Sequence, residues 1–190
     1  MRGIVREVVI TIVLALLFFV AIRSVVHNFE VNGYSMEPTL HDGQFVIVSK
    51  AAYWFGDPGR GDIVVFDAPN VDHDVIHRIV GLPGELVEIR KGQLYIDGKQ
   101  MDEPYIDGVA NVPPTEIGED NYFIIGDNRR HSTSHEVSRD TIVGKAWLIY
   151  WPLGDWGFVS NYSWKSDEAA EVEPEPSALV PISYSVDVNM

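Results

Sequence analysis

From Val8 to Ile22 the chain carries no charged residue, and no other feature restricts the possible fold so strongly. A helix that is apolar on every side must be enclosed, either by the rest of a protein or by lipid. The uncharged run alone is shorter than the ~20 residues that ideally span a bilayer. Arg23 interrupts it before Ser24, Val25 and Val26, but an arginine near a helix end can bury its stem and hold its charge at the interface. Three readings compete: an uncleaved signal anchor, a cleaved signal peptide and a buried core helix. A cleaved leader ends in a small-x-small site, which Ala21-Ile22-Arg23 matches poorly, so an anchor is predicted. Arg2, Arg6 and the amino terminus outweigh Glu7. The positive-inside rule then puts the N-terminus in the cytoplasm and everything beyond Val26 across the membrane.

After the anchor the pattern shortens. Gln44–Ser49, Asp62–Phe66, Asn121–Ile125 and Ile142–Tyr150 are short, β-branched and apolar, and read as strands. Val87–Arg90 and Gln93–Ile96 flank Lys91-Gly92, a hairpin signature. No long helical period follows residue 26, so a mainly β ectodomain is predicted. Met101–Asp120, with Pro104, Pro113 and Pro114, reads as a long connection. From Ser166 the composition turns acidic and proline-containing, the signature of a disordered tail. The division is 1–27 for the cytoplasmic N-terminus and anchor, 28–165 for the β-rich domain, and 166–190 for the tail. A net charge of −14 argues against nucleic-acid binding. With no cysteine, thiolate chemistry and disulfides are excluded.

Ser35-Met-Glu-Pro-Thr-Leu40 follows the anchor closely and offers a hydroxyl nucleophile near the membrane surface. Pro38 disfavours the α region for Glu37, so the chain is expected to leave Ser35 extended. Gly33 permits positive φ or a close backbone approach. A serine in such a loop is ordinarily a solvated turn residue. A nucleophile needs a base, and His77 lies in Val75-Ile-His-Arg-Ile-Val-Gly-Leu-Pro-Gly84. Strand alternation there puts His77 and Ile79 on one face, Ile76 and Arg78 on the other. Taken alone, this run favours a strand-surface histidine. Gly126-Asp-Asn-Arg129 after a strand reads first as an Asx-type turn. His131 and His135 read as solvated loop residues, and with His73 and Asp74 they complete no recognised zinc pattern, so neither metal nor cofactor is expected. The tryptophans at 147, 151, 156 and 164 suit a core or a membrane interface.

The anchor, Ser35–Leu40, Gly61-Asp-Ile-Val-Val-Phe66, His77-Arg-Ile-Val-Gly-Leu-Pro-Gly84 and Gly126-Asp-Asn-Arg129 occur in one order. In this they resemble the type I signal peptidases, serine endopeptidases of the S26 group, from the anchor to about Trp151. The resemblance implies a single transmembrane helix, a signal-peptidase-like β ectodomain outside the cytoplasm, and removal of signal peptides from exported proteins after an Ala-x-Ala-like motif. It makes preprotein signal peptides and membrane lipid the partners. It aligns Ser35 with the nucleophile and gives its backbone N–H to the oxyanion hole. Gly33 stands where some members carry a second donor hydroxyl, and Gly33 and Met36 are assigned to substrate contact. His77 occupies the position of the usual bacterial general-base lysine, as in the endoplasmic-reticulum branch, which implies a Ser35/His77 dyad. An ordinary histidine would make activity rise through pH ~6–7. Ser132 matches the serine that hydrogen-bonds the base, Asp127 the acid of the Gly-Asp-Asn box, and Arg78 a structural ion-pairing residue. The acid and arginine that normally follow in that loop are Ser134 and Glu136 here, so charge bookkeeping suggests an Arg78–Glu136 pair. The altered base leaves an alternative, an inactive homologue that binds signal peptides or a partner protein without cutting.

Overall fold

The computed structural model describes residues 2–69 and 71–164; the acidic tail lies outside them. A single helix, α1 (Arg2–Val25), has 24 residues, about 36 Å at 1.5 Å per residue. That exceeds a hydrocarbon core of ~30 Å. Its apolar side chains stand exposed along the whole length, Phe18 and Leu17 among them, and none of its spanning window is buried by the chain. The buried-core-helix reading therefore falls.

Twelve strands follow among the described residues: β1 (Val26–Glu30), β2 (Phe45–Ser49), β3 (Ile63–Asp67), β4 (Asp74–Gly81), β5 (Leu86–Arg90), β6 (Gln93–Ile96), β7 (Lys99–Met101), β8 (Val112–Glu116), β9 (Asn121–Ile125), β10 (His135–Ser138), β11 (Ile142–Trp151) and β12 (Gly157–Phe158). The larger sheet runs β1-β2-β11-β3-β4-β9-β10, with β12 added on β11; the smaller runs β7-β6-β5-β8. Neighbouring strands pair antiparallel throughout. The fold is mainly β, as the short apolar runs predict. The β5–β6 hairpin turns on Lys91 and Gly92, with φ of 53° and 81°, the two positive values that a type I′ turn requires.

The prolines of the expected long connection do not keep it out of a sheet. Val112–Glu116, with Pro113 and Pro114, forms β8 at the edge of the smaller sheet, pairing only with β5. A strand with one partner can tolerate missing N–H donors on its open side.

β4 is central to the site because both its faces are covered. Ile76 packs into a cluster with Val31, Met36, Leu40 and Val46. Val75 and Ile79 pack on the opposite side with Val64, Phe66, Ile124 and Val137. The alternation read from the sequence thus holds, but His77 is no surface residue: it is 3% exposed.

Candidate active site

The segment carrying Ser35 is a turn, not the extended chain expected from Pro38. The Leu40 N–H donates to the Met36 carbonyl at 2.9 Å, and Glu37 N–H to the Tyr34 carbonyl at 3.3 Å. Met36 and Leu40 are fully buried, and curling the chain is what sends both into the core below while Ser35 stays half-buried above. Met36 is therefore part of the floor and does not line the cavity. Gly33 enters the turn with φ of 89°, and a Cβ there would meet nothing within 4 Å. Its requirement is conformational, not steric. Its N–H donates to Asp42 Oδ1 at 2.7 Å.

Gly126 has the steric role. A Cβ at this position would come within 2.2 Å of the Ser35 carbonyl oxygen and 2.7 Å of Ser132 Cβ. With only hydrogen there, the loop after β9 packs on the backbone of Ser35, and Asn128 N–H donates to the Ser35 carbonyl at 2.9 Å. Thr39 Oγ1 donates to Asp127 Oδ2 at 2.5 Å. The same carboxylate receives Arg78 Nε at 2.8 Å and Arg78 Nη2 at 2.7 Å. Both partners are about 1% exposed, and the Tyr105 ring lies 4.1 Å from the guanidinium carbon. Asp127 therefore ties the serine turn to β4 and does not meet His77.

The expected Arg78–Glu136 pair does not form. Glu136 accepts from Gly118 N–H at 3.2 Å and Asn121 Nδ2 at 2.7 Å. It is exposed at the sheet edge, whereas Arg78 is buried.

Ser35 and His77 line one cavity of about 390 Å³, together with Val71, His73, Val75, Arg130, His131, Ser132, Thr133 and His135. No hydrogen bond joins Ser35 to His77 among the described residues. Ser132 donates to the Gly126 carbonyl at 3.4 Å. His77 Nδ1 is buried without a hydrogen-bond partner. Burial lowers the His77 pKa to about 3, and the nearby His135 pushes the same way. The imidazole is thus neutral across a far wider pH range than the 6–7 window of an ordinary histidine implies.

His135 is not the solvated loop histidine of the sequence reading. It opens β10, is half-buried, and stacks on His77 with centroids 5.9 Å apart and planes at 29°. His131 is exposed in the preceding turn. Lys145 is held by Asp62 at 2.5 Å and does not line this cavity. Among the described residues no group of three or more metal-ligating side chains converges.

The profile of the family described as signal peptidase, peptidase S26, matches residues 4–151, from α1 through the end of β11. The chain belongs to this family. A probable signal peptidase I-2 of Synechocystis is 35% identical over 178 residues, covering 87% of this chain and 81% of that one. Signal peptidase I S of Bacillus subtilis is also 35% identical, over 79% of this chain and 89% of its own. Signal peptidase IB of Staphylococcus aureus is 32% identical over 86% and 97% respectively. The family therefore supplies the peptidase chemistry and fits a membrane-anchored protein through α1.

Its second buried ion pair lies in the same loop. Arg129, fully buried, binds Glu103 through two nitrogens at 2.5 and 3.1 Å, and Tyr105 OH donates to the same carboxylate at 2.8 Å. Asp107 N–H donates to the Asp127 carbonyl at 3.0 Å, and Arg129 N–H to the Asp107 carbonyl at 2.7 Å. The stretch read as a long connection is thus the brace of the Gly-Asp-Asn loop. Sequence periodicity gave no sign of it, because it works through irregular backbone pairing.

Proposed function

We propose that the chain is a membrane-anchored serine endopeptidase that removes signal peptides from exported proteins after an Ala-x-Ala-like motif, using a Ser35/His77 dyad. The observation that carries this reading is the shared cavity of a half-exposed serine and a buried, neutral imidazole. Nδ1 is the enclosed nitrogen, which leaves Nε2 to take the Ser35 hydroxyl proton. The Ser35 oxygen then bonds to the scissile carbonyl carbon. The carbonyl electrons move to its oxygen, which the Ser35 N–H stabilises. His77 returns the proton to the leaving amine as the C–N bond breaks, and a water activated by the same nitrogen releases the acyl group. Burial disfavours the imidazolium that forms on the way, so the dyad is a weak base that stays available in mild acid. Gly33 beside the turn leaves room for peptide backbone. By the positive-inside rule, Arg2 and Arg6 put the N-terminus in the cytoplasm and the catalytic domain on the opposite side of the membrane, where preproteins emerge.

The test is cleavage of an Ala-x-Ala preprotein in detergent by the wild type, Ser35→Ala, His77→Ala and His77→Lys. Site-specific cutting lost in both alanine variants is expected. An inert wild type, with His77→Lys gaining activity, would instead mean that the base was lost and point to the binding homologue. Full activity in His77→Ala would move the base elsewhere.

A further inference from the structure

His77 presents a problem that the dyad alone does not solve. A general-base histidine is ordinarily oriented by an acceptor on its second nitrogen, and here Nδ1 has none. Asp127 is occupied by Arg78 and Thr39. What surrounds the imidazole is a cluster of rings. Phe66 from β3 lies 5.9 Å from it at 48°, His135 from β10 lies 5.9 Å at 29°, and Phe66 and His135 lie 5.7 Å apart at 59°. These are separations at which aromatic pairs attract. His135 is itself pinned, its Nε2 bonded to Thr133 Oγ1 at 2.9 Å.

We propose that His135 is a positioning residue for the His77 base: its ring, stacked on that of His77 and held by Thr133, orients the imidazole in place of a hydrogen-bond acceptor. The inference rests on the reading of His77 as the base. The strand pairing accounts for the arrangement. His135 lies opposite Ile124, and its neighbour but one, Val137, shares the cluster of Phe66, Ile79 and Ile124. Position 135 therefore faces the side of β4 that carries His77. Phe66 is fully buried, so the His77 ring packs against a fixed core ring and against the Thr133-held His135 ring at the cavity wall, and those two rings also touch each other. His135 also brings charge. The titratable or charged groups on the same cavity are His77 from β4, His73 just before it, and Arg130 and His131 from the turn before β10; no carboxylate lines it. Protonation of His135 in acid places a like charge beside His77 and keeps the base neutral.

The full-length chain in detergent, cleaving an Ala-x-Ala preprotein, tests this with His135→Ala, His135→Phe and Thr133→Val. His135→Ala is expected to lower kcat about threefold to tenfold with KM within about twofold, the scale of one lost aromatic pair. His135→Phe keeps the ring and restores most of kcat, while its acid limb moves to higher pH because the opposing charge is gone. Thr133→Val, at an exposed position that folding tolerates, gives a smaller fall in kcat. Unchanged kcat and pH profile in His135→Ala would overturn the proposal. So would His135→Phe as impaired as His135→Ala, since the ring would then not be the operative part. Activity retained in His77→Ala would overturn the dyad itself, a different result from His135→Ala behaving as wild type while His77→Ala is dead.

Discussion

Asp127→Asn is the perturbation with the clearest expected magnitude. In the native chain the carboxylate accepts two bonds from Arg78 and one from Thr39, and both charged partners are about 1% exposed. The substitution keeps the volume and removes the charge, leaving a guanidinium enclosed without its counterion. Breaking one side of a buried pair costs about 3–5 kcal/mol, a large share of the ~5–15 kcal/mol that holds a typical domain together. Arg78 retains the Gly61 carbonyl at 2.9 Å and the Tyr105 face, which moves the expectation toward the lower end. Urea unfolding of the full chain in detergent, followed by tryptophan fluorescence, measures it. A cycle with Arg78→Met isolates the pair and should give a coupling of at least about 2 kcal/mol. The same cycle between Arg78 and Glu136 should give none, because Glu136 is bound to Gly118 and Asn121. A loss below about 1 kcal/mol in Asp127→Asn would refute the argument that this carboxylate is the sole counterion of Arg78.

Two further outcomes follow from the same site. His77 has a folded pKa lowered from 6.5 to about 3, so as pH falls below 6.5 the unfolded chain takes a proton that the native chain refuses; stability is lost from pH 6.5 downward and levels off near 3. Between pH 7 and 5 that loss is about 2 kcal/mol; it should be present in the wild type and absent from His77→Gln in urea titrations at the two pH values, and the same pH dependence in both chains would contradict it. Gly126→Ala puts a methyl group 2.2 Å from the Ser35 carbonyl oxygen, so preprotein cleavage should fall at least about tenfold while far-ultraviolet circular dichroism stays that of the wild type; full activity would show that the loop has slack.

The strands were legible because they are short, β-branched apolar runs bounded by turn residues, whether burial alternates or covers both faces. Phe45–Ser49 alternates between half-buried and buried positions, and Asn121–Ile125 matches its predicted span residue for residue. β8 was not legible, since two prolines argue against a strand until its edge position is known. The turn at Ser35 was misread for a related reason. Pro38 constrains the local backbone, but burial of Met36 and Leu40 decides the path. Ser35, His77 and the Gly-Asp-Asn loop were found by motif order, and the fold brings them to one place. His135 was passed over because its partner lies on β4, far away in sequence. Only the pairing of β10 with β9, and of β9 with β4, shows that the two histidines meet.

Strand alternation also explains why His77 stands without a carboxylate partner. Arg78 follows His77 directly, so on β4 the two side chains leave from opposite faces. The loop after β9 delivers Asp127 to the Arg78 face, where two guanidinium bonds and the Thr39 hydroxyl take up its oxygens. The acid of that loop is thereby committed to holding the serine turn and is lost to His77. An orienting group for His77 has to come from the other face, and there the fold offers Phe66 from β3 and residue 135 from β10. A carboxylate at 135 would stabilise the charged imidazolium and raise the basicity of His77; an imidazole there orients the ring while opposing the charge. On the proposed reading of His77 as the base, the identity of residue 135 balances how well the ring is held against how strongly it can bind a proton.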